Sequence, residues 1–470
     1  MQRVGAKENR GGRRKCGNRL LEGTEEGAQR VREGGVGNIF QVPELKKRIL
    51  FTLALLAVYR IGVHVPIPGI DSVALRAFFN ELRGQGGTIM QFFDLFTGGA
   101  LSQMTIFALG IMPYISSSII LELLTVVIPH LERLKKEGEA GRKKINQYTR
   151  YGTVFLSTVQ GFGIAMGIQQ MQAPTGAMVV LEGGTSFILM TVLTLVAGTS
   201  FIMWLGEQIT ERGIGNGISL IIFAGIVAGL PGAIINSLRL MGSGEILPFV
   251  MILLVIGMIG VVGLVVWFET AQRRLRVQYA KRMVGRKMAG GQETHLPLKV
   301  NTSGVIPPIF ASSLILFPAT IAQFSNIPWL TTVSGMLAPG NWLYIVLTVS
   351  FIFFFAYFYT SITFNPTDVA DNLRKYGGFI PGRRPGRPTA DFIDRTLTRL
   401  TFIGAIYLSV IVILPTYLIQ WFNVPFFFGG TALLIVVGVA VDTQRQIESH
   451  LVMRNYEGFL RKSRVSRRTL

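Results

Sequence analysis

The stretch 87–124 reads GTIMQFFDLFTGGALSQMTIFALGIMPYISSSIILELL. A short amphipathic piece, Ile89 to Phe96, comes first, and a glycine break at Gly98 and Gly99 follows. The apolar run 105–128 is long enough to cross a bilayer and carries Pro113 in its interior. A proline there predicts a kinked helix. Lipid tolerates the freed carbonyl only where neighbouring groups or a wet cavity satisfy it. Ser116, Ser117 and Ser118, one turn on, are suitable partners. A short half-helix, a hinge and a kinked, serine-bearing span predict a helix that lines something rather than one that only faces lipid.

Working outward, the whole chain has the same character. Of 470 residues, 49% are hydrophobic and only 15% charged, with a mean hydropathy of +0.45. These values predict an all-α polytopic membrane protein. A lone cysteine, Cys16, excludes an internal disulfide framework. The four histidines are scattered without ligand spacing, so no metal site is expected. No G-K-[ST] phosphate loop is present, so the chain is not expected to hydrolyse nucleotide. No cofactor is expected. The formal net charge of +20 must sit in the loops, where it sets topology.

Residues 1–40 are rich in Gly, Arg and Glu without apolar periodicity and read as a disordered, basic cytoplasmic extension, not a signal peptide. Apolar runs then predict about ten spans: 49–65, 105–128, 151–171, 186–204, 218–235, 246–268, 304–324, 343–362, 400–422 and 426–441. Arg60, near the far end of the first, is expected to snorkel to the interface. Glu122, late in the second, is expected to snorkel or pair. The loops after even-numbered spans and both tails hold nearly all the Lys and Arg, notably loops 269–302 and 363–399 and the basic tail 446–470. The opposite loops hold few, such as Arg76, Arg83 and Arg239. This asymmetry predicts that both termini are cytoplasmic.

An internal echo divides the chain. Ile111-Met-Pro-Tyr-Ile-Ser-Ser-Ser118 aligns with Val305-Ile-Pro-Pro-Ile-Phe-Ala-Ser312, matching Pro113 with Pro307 and Ile115 with Ile309. Each segment lies in the second span of a five-span half. Halves 41–240 and 241–445 would then have opposite topology, as in inverted repeats with a site between them.

The motif series is similar to the bacterial SecY family, the central subunit of the Sec protein-translocation channel. RIGVHVPIPGID (60–71), FTGGALSQMTIFALGIMPYISSSII (96–120), ERGIGNGISLIIFAGIVAGLP (211–231), VQYAKR (277–282) and HLPLKVN with VIPPIFASSLILFP (295–318) carry the resemblance. NPTDVADNLRKYGGFIPG (365–382) and PFFFGGTALLIVVGV (425–439) complete it, in family order. The extension before about residue 35 is longer than the family pattern, and Arg383 stands where an apolar residue is more usual.

The resemblance implies an hourglass between two five-helix halves. Its waist would be a pore ring of Ile111, Ile115, Ile226, Ile309 and Ile435. A narrow apolar constriction stays dry and blocks ions without binding any one substrate. It implies a short plug helix within 87–101, formed by Ile89, Met90, Phe92, Phe93, Leu95 and Phe96 and hinged on Gly98 and Gly99. It implies a lateral gate between spans two and three and spans seven and eight, which releases transmembrane segments into lipid. It implies docking of a ribosome or a SecA-like ATPase motor on the basic loops, through Lys281, Arg282, Arg286, Lys287 and Arg384. Other implied partners are SecE-like and SecG-like small membrane subunits, signal peptides, nascent chains and lipids. The implied location is the bacterial cytoplasmic (inner) membrane.

Two other classes bear on the same pattern. A secondary transporter also has inverted halves and broken helices, but it needs midplane ionisable residues, and the span centres hold almost none. An intramembrane enzyme needs a catalytic pair within the spans, and none is evident.

Overall fold

The computed structural model describes residues 43–84, 94, 96–169, 178–181, 183–244, 248–279, 282–284, 287–289, 293–324, 335–337, 340–422 and 430–466. The first half contains helices α1 (Pro43–Gly62), α2 (Ser72–Gly84), α3 (Met112–Val127), α4 (Pro129–Lys136), α5 (Glu139–Gln169), α6 (Thr185–Arg212) and α7 (Gly217–Gly242). The second contains α8 (Pro248–Thr270), α9 (Ile306–Phe324), α10 (Trp342–Thr363), α11 (Pro366–Lys375), α12 (Arg387–Phe422) and α13 (Gly430–Ser466). Among the described residues, six helices are long and apolar enough to cross a membrane, or seven if α3 and α4 are one bent span. The chain is a multi-pass helical membrane protein. The expected spans outside that set fall on α1, α9 and α13, which are more charged or are described over a shorter apolar length.

The opening stretch differs from the sequence expectation in an instructive way. Residues 100–111 form turns, and the helix begins only at Met112. Pro113 is therefore its second residue, not an interior kink. In the first turn its missing N–H has no intrahelical partner to lose, and its fixed φ suits the helix. The real break lies at the other end. Ile128 is extended, as a residue before proline prefers, and α4 departs from α3 at 99°. Pro307 is likewise the second residue of α9, so the internal echo aligns two helix starts.

Local signals set other boundaries. Asn216 caps α7, its side chain accepting from the amides of Ile218 and Ser219. Asn365 caps α11 through the amide of Thr367, just ahead of Pro366 at the first helical position. The basic segment 130–150, expected as a loop after the second span, is largely helical: it falls on α4 and the first turns of α5, with a turn at 137–138 between them.

The basic loop 269–302 is not irregular. It contains a hairpin of β1 (Gln272–Tyr279) and β4 (Glu293–Lys299), with a smaller pair β2 (Arg282–Val284) and β3 (Lys287–Ala289) beyond it. From the other basic loop, β5 (Gly378–Phe379) adds antiparallel to β1, giving a three-stranded sheet in the order β4-β1-β5. Leu275, Val277, Leu298 and Ile380 close over Ile393, Leu397 and Leu400 of α12 as a separate small core.

Candidate functional site

Two seams join the halves. On one side α9 packs against α3 and α5, and on the other α7 packs against α13. The five isoleucines singled out in the sequence lie on four of the five helices of these seams, or at the N-cap of one. Ile111, the N-cap residue, and Ile115 belong to α3, Ile226 to α7, Ile309 to α9 and Ile435 to α13. All five belong to one apolar cluster that runs across both halves. Ile111, Ile115, Ile226 and Ile435 are buried, and Ile309 is partly buried against them.

The seams differ chemically. Within the first half, Ser117 Oγ of α3 donates to the Thr149 carbonyl of α5 at 2.9 Å, and Arg150 of α5 makes a bidentate pair with Glu207 of α6 at 2.9 and 2.8 Å. The second half ties α10 to α12 through Thr360 and Thr401. The α7/α13 side is bridged where the Gly215 amide, just before α7, donates to Gln446 Oε1 of α13 at 2.9 Å. Among the described residues, no side-chain hydrogen bond or ion pair joins α9 or α10 to α3 or α5. Among the described side chains that seam is mainly apolar, and no hydrogen bond or ion pair there would have to break for it to part.

Of the expected plug, Ile89, Met90, Phe92, Phe93 and Leu95 lie outside the described residues. Its base is described and is firmly held. Tyr59 Oη donates to the Thr97 carbonyl at 3.2 Å, and Arg60 Nη1 donates to the Gly98 carbonyl at 3.2 Å. Arg60 therefore does not simply snorkel to the interface; it grips the hinge. Gly98 (φ +69°) and Gly99 (φ +86°) both occupy the left-handed region that glycine enters without penalty. At Gly98 space is equally restrictive, since an added Cβ would lie 2.8 Å from the Cα of Gly225, the neighbour of Ile226. Phe96 is buried in the same cluster as the isoleucines.

Of the expected docking residues, Lys281 and Arg286 lie outside the described residues, while Arg282 and Lys287 stand on β2 and β3. Arg384 is exposed in the turn before α12, its carbonyl accepting from Thr389 Oγ1 at 2.8 Å. The guanidinium of Arg383 instead lies over the Phe392 ring, 5.2 Å from its centroid. Sequence reasoning missed Arg60 as a clamp and the buried pair Glu269 and Asn301. The available signal for Glu269 was a solitary carboxylate closing an otherwise uncharged 23-residue helix.

In fold the chain is similar to a solved structure described as a protein conducting channel, with a TM-score of 0.60 at 18% identity, covering 85% of this chain and 91% of that one. It is similar also to Sec61 solved in the canine ribosome-channel complex from the endoplasmic reticulum, with a TM-score of 0.56 at 17% identity over 85% of this chain and 91% of that one. Two helical halves meeting along two seams thus define a multi-pass membrane protein with the fold of protein-conducting channels. The SecY family model matches residues 105–444. The chain is 51% identical over 437 residues to the protein translocase subunit SecY of Escherichia coli (strain K12), covering 92% of this chain and 96% of that one. The chain belongs to the SecY family.

Proposed function

We propose that this chain is the pore-forming subunit of a protein-conducting channel. It passes unfolded secretory polypeptides across the bacterial cytoplasmic membrane and releases transmembrane segments sideways into lipid, a transport role rather than an enzymatic one. The observation that carries this reading is the contrast between the seams. Among the described residues the α9 seam with α3 and α5 is mainly apolar and has no cross-seam hydrogen bond, the opposite side is hydrogen-bonded, and one apolar cluster joins them. Such a contrast favours opening on the α9 side. The opening faces lipid, where a segment partitions by its own transfer free energy of roughly −0.3 to −0.6 kcal/mol per central Leu, Ile, Phe or Val.

In this reading Ile111, Ile115, Ile226, Ile309 and Ile435 form the waist, and the segment 87–101 is the plug. The halves are 41–240 and 241–445. Both termini are cytoplasmic, as the Lys and Arg asymmetry favours. The basic sheet and the Arg384 turn then face the cytoplasm and suit a polyanionic partner. Ribosomes and a SecA-like motor are the partners of that surface, and SecE-like and SecG-like subunits complete the channel; the ribosome-bound state of the similar Sec61 supports the first of these.

The test is reconstitution of the full chain with its co-purified subunits in lipid vesicles. A secretory polypeptide held unfolded should enter the lumen only when a motor ATPase and ATP are added. Uptake of a small solute coupled to an ion gradient, with no polypeptide import, would overturn the channel reading in favour of a secondary transporter.

A further inference from the structure

Glu269 closes α8, the most apolar of the six candidate spans, and its side chain is buried. Nothing in the channel reading uses it. Its Oε1 accepts from Asn301 Nδ2 at 2.7 Å, and the same amide donates to the Gly304 carbonyl at 3.0 Å. Ser303 Oγ orients the amide by donating to Asn301 Oδ1 at 3.2 Å. Asn301 and Ser303 are buried, at 3% and 5% exposure. From α13, Arg445 Nη2 donates to the Glu269 carbonyl at 2.9 Å, while its Nη1 lies 3.7 Å from Asp442 Oδ1. From α12, Gly404 approaches so closely that a Cβ there would meet the Val300 carbonyl at 3.3 Å.

The location gives this network its meaning. It is the neck through which the sheet joins the membrane helices. α8 passes into β1 through Ala271 alone, and β4 passes into α9 through residues 300–305. Every step of that return is pinned. The Val300 amide donates to the Ala271 carbonyl at 3.1 Å, Asn301 bonds back to Glu269 and forward to Gly304, and Gly304 turns at φ +63°. A plain connection needs no buried polar bonds, which are unfavourable unless fully satisfied. A flexible one would let the sheet move without the helix. Here a tilt of the sheet must carry the first turn of α9 with it, and Ile309 lies in that turn.

We propose that the Glu269–Asn301 bond is the coupling point through which a load on the β4-β1-β5 sheet repositions α9, and with it Ile309 and the apolar seam. Asn301 is the positioning residue of this device. The inference rests on reading the sheet as the docking platform. Coupling between distant sites requires a connected element that both sites bias, and the pinned neck supplies it.

The experiment uses the full chain with its co-purified subunits in vesicles and purified bacterial ribosomes as the probe. One readout is ribosome affinity by co-sedimentation. The other is the ribosome-induced change in amide exchange across residues 309–313. In the wild type, ribosomes bind and alter that exchange. Asn301→Ala binds with unchanged affinity but loses about fivefold or more of the exchange response, a typical coupling factor. Glu269→Gln keeps the Oε1 acceptor and keeps the response, which a merely electrostatic role would not allow. Should Asn301→Ala fail to fold, Ser303→Ala removes only the bond that orients the amide and gives a partial loss. A wild-type response in either Asn301→Ala or Ser303→Ala overturns the proposal. Binding to wild type that leaves 309–313 unchanged also overturns it. Failure of wild type to bind ribosomes overturns the docking reading itself and the inference with it.

Discussion

The guanidinium of Arg60 donates to the carbonyl of Gly98 at 3.2 Å, so α1 holds the backbone that leads into α3. Beside it Tyr59 holds the Thr97 carbonyl, and the Gly98 backbone rests against Gly225. The segment before Gly98 is thus tethered at its base to α1 and seated against the helix that carries Ile226.

Removing the tether should loosen the closed state without abolishing transport. Arg60→Gln shortens the side chain and drops the charge-assisted bond, an interaction worth about 1.5–3 kcal/mol where it is shielded from water. Vesicles carrying the variant should leak ions at rest and import polypeptides with defective signal sequences more readily than wild type. An unaltered resting leak in a folded variant would show that the tether does not hold the closed state.

At Gly98 itself two constraints act together. Alanine there must adopt φ +69° and find room beside the Gly225 Cα. Left-handed backbone at a non-glycine residue costs of order 1–3 kcal/mol. Gly98→Ala should therefore lower the thermal midpoint of the purified complex. Gly99→Ala, with open space but a similar φ of +86°, should lower it less. Equal shifts would mean that the contact with Gly225 does not contribute.

The apolar seam predicts a cross-linking asymmetry. Cysteine pairs placed between α3 and α9 and oxidised should block both import and the release of transmembrane segments. Pairs placed between the Gly215 turn and α13 should leave import intact, because that side is already bonded. The comparison is made by motor-driven import before and after reduction. Full import with α3 and α9 locked together would remove the gate from that seam.

Arg384 and Arg383 are both exposed in the turn before α12, but the Arg383 guanidinium lies over the Phe392 ring. Arg383 is thus poorly placed to substitute for it. Arg384→Glu should impair motor-driven import far more than it affects membrane insertion or thermal stability. Vesicle import beside protease accessibility is the measurement, and normal import with normal topology would leave Arg384 as a topology signal only.

Much of this architecture was legible because lipid enforces it: the long apolar runs fall largely on helices, six of them long and apolar enough to cross a membrane among the described residues, and the Pro113 and Pro307 echo marks two equivalent helix starts. What Pro113 does there was not legible. Proline signals a kink or a first turn equally, and only the turns through residues 100–111 decide between them. The sheet was hidden for a different reason. QRRLRVQY does alternate, burying Leu275 and Val277, but its arginines read as a topology signal, and its partner β5 is only two residues long. Arg60 and Asn301 were missed because each acts on a backbone carbonyl far away or around a turn, a contact that sequence spacing does not reveal.

The central claim is that a ring of isoleucines seals the waist, and the most direct measurement is the resting conductance of planar bilayers carrying the purified complex with Ile115→Asn and Ile309→Asn combined. The two positions follow the paired prolines by the same two residues and join one apolar cluster. An apolar constriction blocks ions by staying dry, and two amides wet it. The account predicts a clear rise in ion current through the folded, import-competent double variant with no partner added. A current indistinguishable from wild type would contradict it.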